Sequence, residues 1–168
     1  LVGDDTLLAH CVHTNSAERG ILRDSGSHVV HCPSANMKLG SGIAPIPEYL
    51  AAGISVAGGA DGAPCNNRLD PFVEMRHAAL IQKLRLGADA LPARDVVDLM
   101  TRGGARALGW DDRTGSLAEG KQADLIIVDD RGRSCAPDAD PAVNLVYSCN
   151  ADSLRAVLIR GRILLDED

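Results

Sequence analysis

The chain has 168 residues, 45% of them hydrophobic but only 2% aromatic, and 23 acidic side chains against 17 basic ones give a net charge of −6. This length suits one ordinary domain with a sizeable core, and acidic residues spread along the chain argue against a nucleic-acid partner, which needs clustered Lys and Arg. No apolar run approaches the roughly 18 residues of a membrane helix, and Cys11, Cys32, Cys65, Cys135 and Cys149 form no CxxC pair, so a reducing cytoplasm is expected rather than a disulfide framework or a zinc ribbon.

The chain opens on Leu and runs directly into an apolar segment, which hints at a piece of something longer. "TLLAHCV" predicts a short buried strand, and "SAERGILRDSG" a helix with Ser16 as N-cap and Gly26 past its end. "SHVVHC" repeats the strand signal with β-branched residues, and "PSANMKLGSG" after it predicts a loop too particular to be a plain connection. "APIPEYLAAG" predicts a short helix led by prolines and stopped before Gly53. "ISVAGGAD" is a third strand closing on Asp61, followed by the loop "GAPCNNRLD" and a strongly periodic helix through "PFVEMRHAALIQKLRL".

Three strand–loop–helix units in succession predict parallel strands with right-handed crossovers. "PARDVVDLMTRGGARALG" then predicts a helix with Leu99, Met100 and Leu108 facing a core, and "GSLAEGKQADLIIVD" a turn-rich lead into a strand over 124–129. "DDRGRSCAPDADPAVN" is expected to be an exposed connection, and "LRAVLIRGRILLDED" a hairpin turning near Arg160 and Gly161. No internal repeat or low-complexity tract interrupts this order.

His10, His31 and Asp61 each follow an apolar strand, so all three fall at the C-terminal edge of a parallel sheet, where ligands and catalysts collect in such folds. Any one of them alone reads as a strand cap; three in register point to a site. A complete metal centre is not among them. His10 and His13, like His28 and His31, are three apart on a strand and face opposite sides, there is no HxH or HExxH, and a catalytic zinc needs three protein ligands. The glycines at 40–42 and 58–62 lack the phosphate-loop spacings, and no helix is expected to open directly on them.

"LLAHCVH", "HCPSANMKLGSGIAPIPEYLAAGISVAGGADGAPCNNRLDPFVEMRHAALIQK" and "TRGGARALGWDDRTGSLAEGKQADLIIVD" together resemble the C-terminal part of the amidohydrolase superfamily, in its branch of chlorohydrolases and deaminases. The resemblance implies an α/β fold: residues 1–110 as the last three βα units of a (β/α)8 barrel, and residues 111–168 as C-terminal strands of a small β-sandwich. It implies one divalent metal, zinc or iron, with Asp61 as a ligand and proton acceptor and His10 beside the metal and its water. His31, Asn36, Cys65 and Asn66 would border the substrate, a small nitrogen heterocycle that loses an amine. Cys11 and Cys32 would be core residues, and Glu74 and Arg76 barrel supports.

The family's HxH, its further histidine and the acidic partner of that histidine match nothing here. The chain is therefore expected to need the N-terminal barrel segment as partner, to be inactive alone, and to form a homo-oligomer when full length. Two alternatives stay open: a triazine-type chlorohydrolase, and a non-catalytic half-barrel assembly module.

Overall fold

The computed structural model describes residues 2–129 and 140–166. Strands β1 (Leu7–Ala9), β2 (His28–His31) and β3 (Ser55–Gly58) form a parallel sheet in that order, with Ala9 opposite Val30 and Val30 opposite Ala57. Helix α1 (Ser16–Ser25) joins the first two strands, and α2 (Pro33–Lys38) with α3 (Ile46–Ala51) the second and third. The βα alternation expected from the apolar runs is therefore present. Within the described residues β1 and β3 have no outer strand neighbour.

Two local expectations are corrected. The N-cap of α1 is Asn15, not Ser16: its side chain accepts from the N–H groups of Ala17 and Glu18, and the Glu18 carboxylate accepts the Asn15 N–H at 2.8 Å, a reciprocal capping box. The segment after His31 is a helix rather than a loop, because Pro33 sits at its first position with φ preset. The chain leaves it through Gly40 and Gly42 at φ 67° and 109°. A single-turn helix, α4 (Ala63–Asn66), also opens directly on Gly62, where none was expected.

Helix α5 (Pro71–Leu86) is capped by Asp70 and buries Phe72, Met75, Ala79 and Gln82, one stripe at helical spacing. α6 (Ala93–Asp98), a π-helical turn (Leu99–Gly103) and α7 (Gly104–Ala107) follow as one run. A Cβ on Gly103 would stand 2.5 Å from the Val56 carbonyl oxygen, so glycine lets this run lie directly on β3. Leu99 is buried and Met100 packs on the core, whereas Leu108 is exposed, contrary to expectation, beyond the end of α7.

β4 (Leu125–Val128), β5 (Leu154–Ile159) and β6 (Arg162–Asp166) form a second, antiparallel sheet in that order. The β5–β6 turn is Arg160–Gly161 at φ 50° and 74°, the two left-handed residues a primed two-residue hairpin needs. Within the connection expected to be exposed, residues 130–139, Cys135 among them, lie outside the described residues. Its end forms the start of α8 (Pro141–Tyr147), capped by Asp140: Pro141 and Val143 are exposed as expected, whereas Asn144 is buried, as is Val146 in the next turn. The core runs from Val29, Ile46, Tyr49 and Val56 to Val96 and Val146. No helix among the described residues is long and apolar enough to cross a membrane.

Candidate active site

The site forms where the parallel strands end. His10 follows β1 immediately, and its backbone N–H donates to the Val30 carbonyl at 2.9 Å, extending the β1–β2 pairing by one residue. There the chain turns through φ 69° at His10 and 42° at Cys11. A donor chain holds this left-handed bend: Arg19 Nε donates to Thr14 Oγ1 at 3.2 Å, Thr14 lies 2.7 Å from the buried Tyr49 hydroxyl, and that hydroxyl donates to the Cys11 carbonyl. On β3, Gly59 N–H donates to the His31 carbonyl at 2.9 Å, and Asp61 then turns back at φ 64°. Its Oδ1 accepts the Gly62 N–H at 2.6 Å.

β1 and β3 are not neighbours but flank β2, so roughly 9.5 Å separates them. The two left-handed bends fold His10 and Asp61 toward each other over the end of β2, leaving His10 Nε2 3.7 Å from Asp61 Oδ2. Their side chains are 39% and 26% exposed, so the pair is open to solvent.

The other expected site residues lie deeper. Asn36 and His31 are each 2% exposed. Asn36 Oδ1 accepts from His10 Nδ1 at 2.8 Å, while its Nδ2 and both ring nitrogens of His31 are buried without partners. Burial, and secondarily the charge of His10, push His31 down to about 4, so it is neutral at pH 7. Asn66 spends its amide inside the protein: Nδ2 donates to the Ala60 carbonyl and to Glu74, both at 2.7 Å, and Oδ1 receives the N–H groups of Arg68 and Leu69. It ties a loop, and its amide is not free for a substrate. Cys65 is half-buried on α4.

Cys32 is buried, and burial followed by the Asp61 and Glu74 charges pushes its thiol up to about 11, leaving it protonated and inert. Burial also raises the Cys11 thiol. Glu74, only 1% exposed, receives the Ser34 N–H at 3.2 Å as well as Asn66, and so joins the start of α2 to the loop after β3. Sequence reasoning assigned it only a general support. Its place on the apolar face of α5, between Phe72 and Ala78, was the available signal. Nothing in the sequence pointed to Tyr49, Thr14 and Arg19 as the brace of the His10 bend. Arg76 donates to the Tyr147 carbonyl, far from the strand ends.

Among the described residues no three or more His, Cys, Asp or Glu side chains converge as a metal-binding group. Asp61 nonetheless offers one carboxylate oxygen not engaged by the backbone, beside an imidazole nitrogen. The residues present fit one side of a metal site and need ligands from elsewhere. A cavity of about 720 Å³ along α6 and the π-helical turn, lined by Arg94, Asp98 and Ser116, lies away from this chemistry. The site itself is an open sheet edge, a shape that a cavity volume does not capture.

Three likenesses bear on this edge. The chain is 45% identical over 166 residues to a 5-methylthioadenosine/S-adenosylhomocysteine deaminase of Halobacterium salinarum, covering 98% of this chain and 38% of that protein. Among solved structures, an adenosine deaminase from Xanthomonas campestris with bound zinc superposes with a TM-score of 0.96 at 38% identity, over 99% of this chain and 38% of the other. An atrazine chlorohydrolase from Arthrobacter aurescens complexed with zinc gives 0.90 at 32% identity, over 98% and 37%. The chain thus corresponds to the C-terminal part of these proteins and spans well under half of their length. Residues 1–164 match the amidohydrolase family as a whole. With the mixed α/β fold and the histidine and aspartate at the strand ends, this places the chain in the amidohydrolase family.

Proposed function

We propose that this chain is the C-terminal catalytic edge of a metal-dependent deaminase that hydrolyses an exocyclic amine from an adenosine-type nitrogen heterocycle. Residues 1–110 would be its last barrel units and residues 111–168 part of its β-sandwich, with the remaining metal ligands supplied by an N-terminal barrel segment. The observation that carries the reading is the open imidazole–carboxylate pair, His10 Nε2 to Asp61 Oδ2 at 3.7 Å, held over the sheet by two left-handed bends. Cys11, Cys32 and Cys65 are free thiols, which suits a cytoplasmic enzyme.

A divalent metal, zinc or iron, held in part by Asp61, supplies Lewis acidity that makes water a usable nucleophile at neutral pH. Asp61 Oδ2 takes the proton that the attacking water loses as its oxygen bonds to the ring carbon. His10 Nε2 accepts a hydrogen bond from the other O–H of that water and so orients it for attack. Asp61 then returns the proton to the amine nitrogen, the carbon–nitrogen bond breaks, and ammonia leaves. The higher identity to deaminases than to the chlorohydrolase favours an amine over chloride as the leaving group.

The test uses the complete zinc-loaded polypeptide with methylthioadenosine, S-adenosylhomocysteine, 5'-deoxyadenosine and atrazine, following ammonia and chloride. Ammonia from the nucleosides is the expected result. Chloride from atrazine alone would establish the chlorohydrolase alternative, and no release of either would favour the assembly module. Asp61→Asn should abolish turnover, at least ~10³-fold, and lower zinc content. Full turnover with full zinc would remove Asp61 from both roles.

A further inference from the structure

Asn36 is buried for a purpose that the reaction above does not use. Among the described residues its amide has one hydrogen-bond partner, His10 Nδ1 at 2.8 Å from Oδ1, and its Nδ2 is left buried and unpaired. An orphaned buried N–H is destabilising, and such groups persist where function requires the geometry. His31 adds weight from a second direction. It is the buried neighbour of His10 across the β1–β2 pairing, and its own ring nitrogens are unpaired, so it offers His10 no competing hydrogen bond.

On the far side of the His10 ring no hydrogen bond among the described residues places a proton on Nε2. An Nε2–H facing Asp61 would close to a charge-assisted hydrogen bond of about 2.7–2.9 Å. The separation is 3.7 Å, beyond hydrogen-bond range, as two acceptors facing one another require.

We propose that Asn36 is the positioning residue of this site: by accepting the Nδ1–H of His10 it locks the imidazole in its Nδ1–H tautomer, leaving the Nε2 lone pair open toward whatever binds between it and Asp61. A reversed amide would instead present N–H to Nδ1 and select the opposite tautomer. The consequence for turnover rests on the deaminase reading; the tautomer does not.

The experiment is a two-bond proton–nitrogen correlation spectrum of the complete zinc-loaded protein carrying ¹⁵N-histidine, with the His10 signals identified by their loss in His10→Gln. The wild type should show a protonated Nδ1 and a pyridine-type Nε2. Asn36→Asp, whose carboxylate also accepts the Nδ1–H, should keep that pattern, and Asn36→Leu should show mixed tautomers. With the nucleoside substrate, Asn36→Leu should lose ~10–100-fold in kcat at unchanged KM, with recovery toward wild type in Asn36→Asp. A protonated Nε2 in the wild type, or an Asn36→Leu effect on KM alone, would overturn the assignment. A wild type that shows the expected tautomer yet deaminates nothing would refute the function and leave the role of Asn36 standing. Should Asn36→Leu fail to fold, the wild type and Asn36→Asp spectra still decide the tautomer.

Discussion

His10, Cys11 and Asp61 adopt positive φ without being glycine, a conformation that costs on the order of 1 kcal/mol or more each and persists only where its surroundings enforce it. A hydrogen bond is visible at each: the His10 N–H on the Val30 carbonyl, the Tyr49 hydroxyl on the Cys11 carbonyl, and the Gly62 N–H on the Asp61 carboxylate. The positions of His10 and Asp61 at strand ends were legible in the sequence, because apolar runs locate strands. The bends that bring them together were not, since no local pattern marks a non-glycine residue for a left-handed backbone. His31 has a different consequence. Its pKa is lowered from 6.5 to about 4, so between these values the unfolded chain binds more protons than the folded one. Stability is therefore full above about pH 6.5, falls as pH drops toward 4, and loses roughly 3 kcal/mol in all. Urea unfolding at pH 7.5 and 4.5 should show this fall in the wild type and a shallower one in His31→Leu; equal slopes would mean that His31 protonates freely in the fold.

Among the elements, α5 was legible from Asp70, Pro71 and the apolar residues Phe72, Met75 and Ala79 at helical spacing, although its buried face also holds Glu74 and Gln82. α2 was misjudged because its glycine-rich exit looks like a loop, although Pro33 is an acceptable first helical residue. α8 was missed because the polar, proline-containing stretch before it was read on as one connection through Asn144, and its burial of Asn144 depends on α5 and α6 lying beside it. The contact of the π-helical turn with β3 shows how narrow such tolerances are. Gly103→Ala places a Cβ 2.5 Å from the Val56 carbonyl oxygen, where the obstacle is backbone and cannot swing aside. A loss of about 1–3 kcal/mol is expected. Gly104→Ala, which meets nothing within 4 Å, should be neutral or stabilising by up to ~1 kcal/mol. Equal melting temperatures for the two variants would show that β3 and the turn are not in tight contact.

For the whole molecule, the two sheets divide the labour. The parallel sheet presents His10 and Asp61, and the antiparallel sheet lies beyond α8 with β5 as its central strand. Removing residues 155–165 takes away all of β5 but Leu154 and all of β6 but Asp166, while sparing every residue around His10 and Asp61. In the complete polypeptide this deletion should lower the melting temperature by on the order of 5 °C or more with metal content retained. An unchanged melting temperature would mean that the hairpin carries no stability, and lost metal that the second sheet shapes the site.

The sequence by itself determined the parallel βα order, the closing hairpin, the family likeness and the strand-end positions of His10 and Asp61, because these rest on periodicity, turn residues and motif, all of which are local. Only the tertiary structure decided that His10 and Asp61 meet across β2, that His31 and Asn36 are buried beside them, and that Asn66 and Glu74 tie the loops there. Those outcomes depend on which groups are buried together and on where their hydrogen bonds end, and both are settled only when separate segments pack.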